Sequence, residues 1–230
     1  MDKLAGSSSF KVKQQVEMLE ALTGFETNNK YDIKDSEGKK VYKAKEHSGV
    51  CSRMCLGSQR PFRIEIEEKD SDKIVMEVKR DYKYSCIGQC FSCCDCCKDC
   101  VTCEAPPGNV IGFVKQEYNA CNANFSIRDA NGDVMLLIEG PCFCGCRCPG
   151  QKYKFRLLSA DGSQEVGKLY KEWGGLAKEL FTDADNFKVE VANDTSVQVK
   201  SILVAAALLI DFMFFEDSGG HSSNRVGPGL

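Results

Sequence analysis

One unit recurs along this chain: an alternating apolar–polar run, a cluster of Asp, Gly and Ser, and a second alternating run. It appears at YDIKDSEGKKVYKA (31–44), FRIEIEEKDSDKIVMEV (62–78), FSIRDANGDVMLLIEG (125–140) and FRLLSADGSQEVGKLY (155–170). Period-two alternation puts the apolar residues on one face of an extended strand, and Asp/Gly clusters supply tight-turn geometry. Each unit therefore predicts an antiparallel hairpin. IGFVKQEY (111–118) and FKVEV (187–191) add strands. Four hairpins and extra strands laid flat would leave bare edges, so a closed barrel or a sandwich is expected. Hairpins flank a Cys-rich insert in each half, which reads as an internal repeat within one mainly β domain.

The ends of the chain read differently. Residues 1–11 are expected to be a disordered N-terminus, and the tail after Glu216 (217–230) has disorder-like composition. The domain is placed at 12–216. Val12, Val16, Leu19 and Leu22 fall at helical spacing, predicting a short N-terminal amphipathic helix over 12–22 that ends near Gly24.

The apolar segment SILVAAALLIDFMFFE (201–216) has two readings. From Val197 to Phe215 it is just long enough to span a bilayer, which takes roughly 17–25 apolar residues. Asp211 lies inside that span, and an ionised Asp at mid-membrane costs about 2.5–3.5 kcal/mol. A helix apolar all round is equally at home in a protein core. The cost favours a core helix over 200–216, with the strands as its sheath and a hydrogen-bond donor or cation supplied to Asp211.

Cysteine usage narrows the setting. There are 15 cysteines, an odd number, gathered mostly in two clusters. No signal-peptide core precedes them, so a reducing compartment is expected rather than a secreted disulfide scaffold. In CIGQCFSCCDCCKDCVTC (86–103), pairs two residues apart have the spacing of zinc or iron–sulfur ligands. Cys90, Cys93, Cys97 and Cys100 are one such set. The adjacent pairs Cys93–Cys94 and Cys96–Cys97 suit multiple S-acylation instead, and Lys79, Arg80 and Lys83 lie just upstream. Stable lipid anchoring takes several acyl chains, or one chain plus a basic patch. The second run, PCFCGCRCPG (141–150), would set Cys142, Cys144, Cys146 and Cys148 on one face of a strand.

TDADNFKVEVANDTS (182–196) opens with Asp183 and Asp185 in the D-x-D spacing of a Ca²⁺ loop. A twelve-residue loop would place ligand slots on Asp183, Asp185, Phe187, Val189, Val191 and Asp194. Lys188 stands where such loops carry Gly, so affinity is expected at the weak end, roughly 10⁻⁴–10⁻³ M. A solvated acidic turn before a strand is the plainer alternative. The chain has only two histidines, His47 and His221, and shows no catalytic constellation. Its net charge of −3 argues against a dedicated nucleic-acid binder.

Several stretches together, in order, resemble the phospholipid scramblase family: LTGFETNNKY (22–31), RPF (60–62), SCCDCC (92–97), EAPPGNVIG (104–112), GPC (140–142), FTDADNF (181–187) and LIDFMFFE (209–216). The resemblance covers about residues 12–216. It implies a tubby-like fold, a twelve-stranded closed antiparallel barrel around the central C-terminal helix. It also implies Ca²⁺-activated, ATP-independent, bidirectional phospholipid movement between leaflets. Palmitoylation would fall on Cys93, Cys94, Cys96 and Cys97, with Ser92 and Asp95 replacing a Cys and a Pro of the family motif. The implied partner is a phospholipid membrane at the cytoplasmic leaflet of the plasma membrane, held peripherally or by a single pass, with homo-oligomers and signalling proteins as further partners. The family's nuclear-import segment would fall on 167–176. A chain anchored by acyl groups that acts as an adaptor without moving lipid is the alternative.

Overall fold

The computed structural model describes residues 1–15, 28–82, 98–119, 121–142, 153–172 and 186–216. Among them twelve strands close into one antiparallel barrel: β1 (Ser9–Gln15), β2 (Lys30–Lys34), β3 (Lys40–His47), β4 (Phe62–Glu68), β5 (Ile74–Arg80), β6 (Cys100–Glu104), β7 (Val110–Glu117), β8 (Asn122–Asp129), β9 (Val134–Cys142), β10 (Tyr153–Ser159), β11 (Glu165–Glu172) and β12 (Asn186–Val191). Each strand pairs with its neighbour in sequence, and β1 pairs with β12 to seal the cylinder, so no edge is left bare.

All four predicted hairpins form, as β2–β3, β4–β5, β8–β9 and β10–β11. The β2–β3 and β8–β9 turns use one device. Asp35 Oδ1 accepts from the amides of Glu37 (3.0 Å) and Lys39 (2.9 Å), while Gly38 supplies a φ of 81°. Asp129 Oδ1 does the same for Asn131 and Asp133 (both 2.9 Å), with Gly132 at φ 92°. The short carboxylate satisfies amides that the ladder has run out of, and glycine takes the left-handed position without a Cβ clash.

Among the described residues two α-helices complete the fold. α1 (Val50–Leu56) follows β3, and a single 3₁₀ turn (Gly57–Gln59) joins it to β4. α2 (Val197–Phe214) threads the barrel, about 27 Å long at 1.5 Å per residue. Ser196 caps it, its Oγ accepting from the Val199 amide at 3.3 Å, and every residue from Val199 to Phe214 is buried. The alternating strands make this sheath. Phe10 and Val12, Ile64 and Ile66, Phe125 and Ile127, and Phe155 and Leu157 face inward, and charged residues such as Lys11 and Lys13 face water. At Gly112 the β7 backbone comes so close that an added Cβ would lie 2.2 Å from the Arg128 carbonyl oxygen and 2.7 Å from Ile202 Cδ1.

Two expectations are corrected here. Val12–Gln15, the start of the helix expected over 12–22, are extended in β1, paired to β2 on one side with Val12 also paired to Phe187 of β12; residues 16–27 lie outside the described residues. A short helical turn does lie near the N-terminus, but at Asp2–Leu4. The first eleven residues are therefore part of the fold rather than a disordered arm. Leu4 is fully buried at the end of the barrel where α2 begins, and Lys3 pairs with Asp70 at 2.8 Å and Glu68 at 3.0 Å. The physical reason is closure: without Phe10 and Val12 in the wall, the β2 and β12 edges and the helix flank would face water.

Candidate functional site

The up-and-down topology makes the two ends of the barrel chemically different. At one end lie the tight turns 35–39, 69–73, 105–109, 129–133 and 159–164, together with the N-terminus of α2. Lys200, in the first turn of α2, is buried there and donates to the carbonyls of Ala5 (2.8 Å) and Asn193 (3.0 Å). The opposite end, the rim, receives the C-terminus of α2. The wider connections arise there, including α1.

Beneath the rim the inward-facing positions turn from apolar to polar. Arg60, 1% exposed, is the hub. Its guanidinium forks onto Glu46 of β3 (Nε to Oε1 2.7 Å, Nη2 to Oε2 3.0 Å) and onto Glu216 just past α2 (Nη1 to Oε2 2.9 Å, Nη2 to Oε1 2.6 Å). It also lies 4.6 Å above the Phe212 ring and donates to the Gly57 carbonyl at 2.9 Å. A planar, permanently charged group is the one side chain that can hold two buried carboxylates bidentately. Asn29 adds a donor to Glu216 at 2.8 Å. Burial still holds the Glu216 carboxyl above its ordinary range, with Arg60 pulling the other way. Lys171 of β11, also buried, sits 3.8 Å over the Phe215 ring.

Asp211, the charge that made a membrane span costly, lies 1% exposed in this layer and receives the Tyr31 hydroxyl at 2.8 Å. Burial and the neighbouring carboxylates push the Tyr31 phenol well above its usual range, so it stays a donor. The core-helix reading required such a partner. Together Tyr31, Glu46, Arg60, Asp211 and Glu216 fasten the end of an otherwise apolar helix to three separate parts of the wall.

The predicted sites fall as follows. Phe187, Val189 and Val191 are the buried, inward face of β12, whose neighbours on both sides are paired to it. A twelve-residue Ca²⁺ loop is corrected accordingly. Six residues of strand separate Asn186 from Val191 by about 17 Å at 3.3 Å per residue, which puts exposed Asp194 at the turn end, far from the start of the strand. Ladder-paired carbonyls and a distant carboxylate do not make a cation shell. Asp183 and Asp185 lie outside the described residues, as do Cys90, Cys93, Cys94, Cys96 and Cys97. Cys100 begins β6, half-buried, and Cys103 on the same strand is fully buried, its thiol pushed well up by desolvation. Among the described residues no group of three or more His, Cys, Asp or Glu is arranged to hold a metal. His47 lies against Glu65 at 3.1 Å, exposed at the end of β3. The 167–176 segment begins within β11, with Lys171 turned inward.

Sequence reasoning missed the Arg60 hub. Its signal was present, since Arg60 heads RPF and Glu216 closes LIDFMFFE. Nothing in a linear pattern brings together residues 156 apart in the chain.

Comparison with known proteins bears on these features. The Scramblase family model matches residues 1–217. Phospholipid scramblase 1 of Mus musculus is 40% identical over 95% of this chain and 64% of its own length, and that of Homo sapiens is 41% identical over 90% and 63%. Phospholipid scramblase 2 of Bos taurus is 41% identical over 91% of this chain and 69% of its own length. The chain thus spans less than two thirds of the length of the mouse and human relatives. No solved structure matches. A family match across the whole barrel and its central helix, with relatives of this identity, shows that the chain belongs to the scramblase family.

Proposed function

We propose that this protein is a phospholipid scramblase, a membrane-associated protein that moves phospholipids in both directions between leaflets without ATP, under Ca²⁺ control. The observation that supports it is family membership over the whole barrel and helix, with relatives named for phospholipid scrambling. It works as a lipid transporter rather than a classical enzyme. Palmitoyl chains on Cys93, Cys94, Cys96 and Cys97 hold it to the cytoplasmic face of the plasma membrane, several chains being what stable anchoring requires. Zinc or an iron–sulfur group on those thiols is the competing use of the same sulfurs. The Ca²⁺ dependence rests on Asp183 and Asp185, the two carboxylates left once β12 and Asp194 are set aside.

One observation favours a second reading. Moving a headgroup needs a polar path through about 30 Å of hydrocarbon, and α2 is apolar and buried in its own barrel. An acyl-anchored adaptor that binds membrane and signalling partners without moving lipid fits that arrangement equally well. Reconstitution of the pure acylated chain into vesicles carrying leaflet-labelled lipid separates the two. Ca²⁺-dependent exchange that Asp183→Ala abolishes supports scrambling, through this chain alone or its homo-oligomer. Membrane binding with no exchange at any Ca²⁺ concentration establishes the adaptor.

A further inference from the structure

α1 carries a face that the fold does not use. Val50, Cys51, Met54 and Cys55 recur at i, i+1, i+4 and i+5, which is one side of a helix. All four are exposed, Val50 by 47% and Met54 by 74%. The only charged residue of α1, Arg53, is turned inward. Its Nη1 donates to Asn28 Oδ1 at 2.5 Å and to the Ser48 carbonyl at 2.6 Å. The helix is therefore fixed by its polar side, with two thiols and two apolar side chains presented outward and no charge among them.

The place of α1 in the barrel says what lies against that face. It stands on the rim, between the end of β3 and the start of β4, and Arg80 at the end of β5 reaches the Ser58 carbonyl beside it at 2.6 Å. The chain leaves the described barrel at Tyr82 and returns at Lys98, and leaves again at Cys142 and returns at Tyr153; all four points are on this rim. Both cysteine-rich stretches are thus tethered at the end that bears Cys51 and Cys55. Exposed aromatics, Tyr82 (48%) and Tyr118 (57%), lie at the same end, and tyrosine favours the membrane–water boundary. Among the described residues, the turns of the opposite end carry seven acidic side chains, from Asp35 to Asp161, against three lysines, Lys39, Lys69 and Lys73, a net negative charge that an anionic leaflet repels.

We propose that Cys51 and Cys55 are S-acylation sites, and that α1 lies on the phospholipid surface as a second anchor beside the 93–97 cysteines. In each modification the Cys sulfur attacks the carbonyl carbon of a long-chain acyl-CoA. The bond from that carbon to the coenzyme sulfur breaks, the protein thioester forms, and the thiol proton ends on the released coenzyme A thiol. Val50 and Met54 add the apolar contact that seats the helix. Two chains on one fixed helix supply the two-signal anchoring that a single chain cannot. This rests on the membrane reading above.

The test is hydroxylamine-dependent acyl exchange with peptide mass spectrometry on the full chain isolated from cell membranes, unsubstituted and with Cys93, Cys94, Cys96 and Cys97 changed to Ser. Trypsin cuts after Arg53, so Cys51 (46–53) and Cys55 (54–63) fall on separate peptides. The expected result is hydroxylamine-labile acyl groups on both peptides in both backgrounds. Adding C51S and C55S to the fourfold variant should remove the remaining protein from the membrane fraction; both sites are exposed, so the core is untouched. Labile groups confined to 93–97 in membrane-bound protein would overturn this proposal and leave the membrane reading standing. No acyl group anywhere, with the chain in the soluble fraction, would overturn both.

Discussion

The Tyr31 hydroxyl lies 2.8 Å from Asp211 Oδ2, joining β2 to the central helix across 180 residues of sequence. That contact explains how a carboxylate can sit within an apolar helix in the centre of the molecule. Removing it should leave the Asp211 carboxylate short of a donor at a site with no water access. Tyr31→Phe is expected to cost about 1–3 kcal/mol in urea unfolding, the penalty for an orphaned buried acceptor. A smaller loss than in Tyr31→Ala, which also empties the ring site, would mark the hydroxyl's share.

Arg60 holds Glu46 and Glu216 in the same layer. Arg60→Met leaves the buried Glu46 and the part-buried Glu216 without their cation, and breaking such a pair by removing one partner typically costs about 3–5 kcal/mol. The damage should be greatest at the end of α2. Amides 210–216 should exchange faster in hydrogen-exchange mass spectrometry, while the amides near Val199 remain protected by the Ser196 cap.

The middle of α2 is held by packing alone. Leu208 and Leu209 are fully buried, so Leu208→Ala or Leu209→Ala should each destabilise by about 2–5 kcal/mol, transfer loss plus cavity. Gly112→Val tests the helix–wall packing nearer the start of α2, at Ile202, from the wall side. Its new side chain meets backbone at Arg128 as well as Ile202, so the variant should unfold at lower denaturant or fail to accumulate.

Thiol chemistry should divide by burial. In unacylated protein, Cys51, Cys55, Cys121 and Cys142 are exposed and should alkylate rapidly at pH 8. Cys103, fully buried and with its thiol held well above the ordinary range, should stay unlabelled until denaturant is added. Rapid labelling of Cys103 in the native state would contradict the position of β6.

Asp161 gives a pH signature. Its carboxylate accepts from Ser159 Oγ (2.5 Å) and from the Ser163 amide (3.1 Å), holding its pKa down at about 2 against an ordinary 3.8. A depressed carboxylate contributes stability that is present above the unfolded value and lost as pH falls through about 2. NMR titration should show the Asp161 carboxyl midpoint near 2, moving up toward 3.8 in Ser159→Ala.

The period-two units read directly as hairpins because both determinants, alternation and the Asp/Gly turn, are local. Two strands escaped for non-local reasons. SFKVKQQ also alternates, with Phe10 and Val12 inward, but the helical spacing of Val12, Val16, Leu19 and Leu22 competes with it. Only the need to join β2 to β12 decides in favour of the strand. β6 lay hidden in a segment read for its sulfurs, although Val101 and Cys103 alternate inward. FKVEV (187–191) reads as a strand from its alternation and is one; the Ca²⁺ slots at Phe187, Val189 and Val191 come from counting along a motif, a count that ignores that alternation. Asp211's partner was legible as a requirement, and its identity as Tyr31 was not.

The most direct measurement uses vesicles containing phospholipids with a photoreactive group on the acyl chain, bound by the acylated chain in the absence of Ca²⁺. With α2 sheathed by twelve strands, peptides covering residues 201–213 should carry no crosslinked lipid, and label should collect on the rim. Lipid crosslinked within 201–213 under those conditions would contradict the sheathed helix.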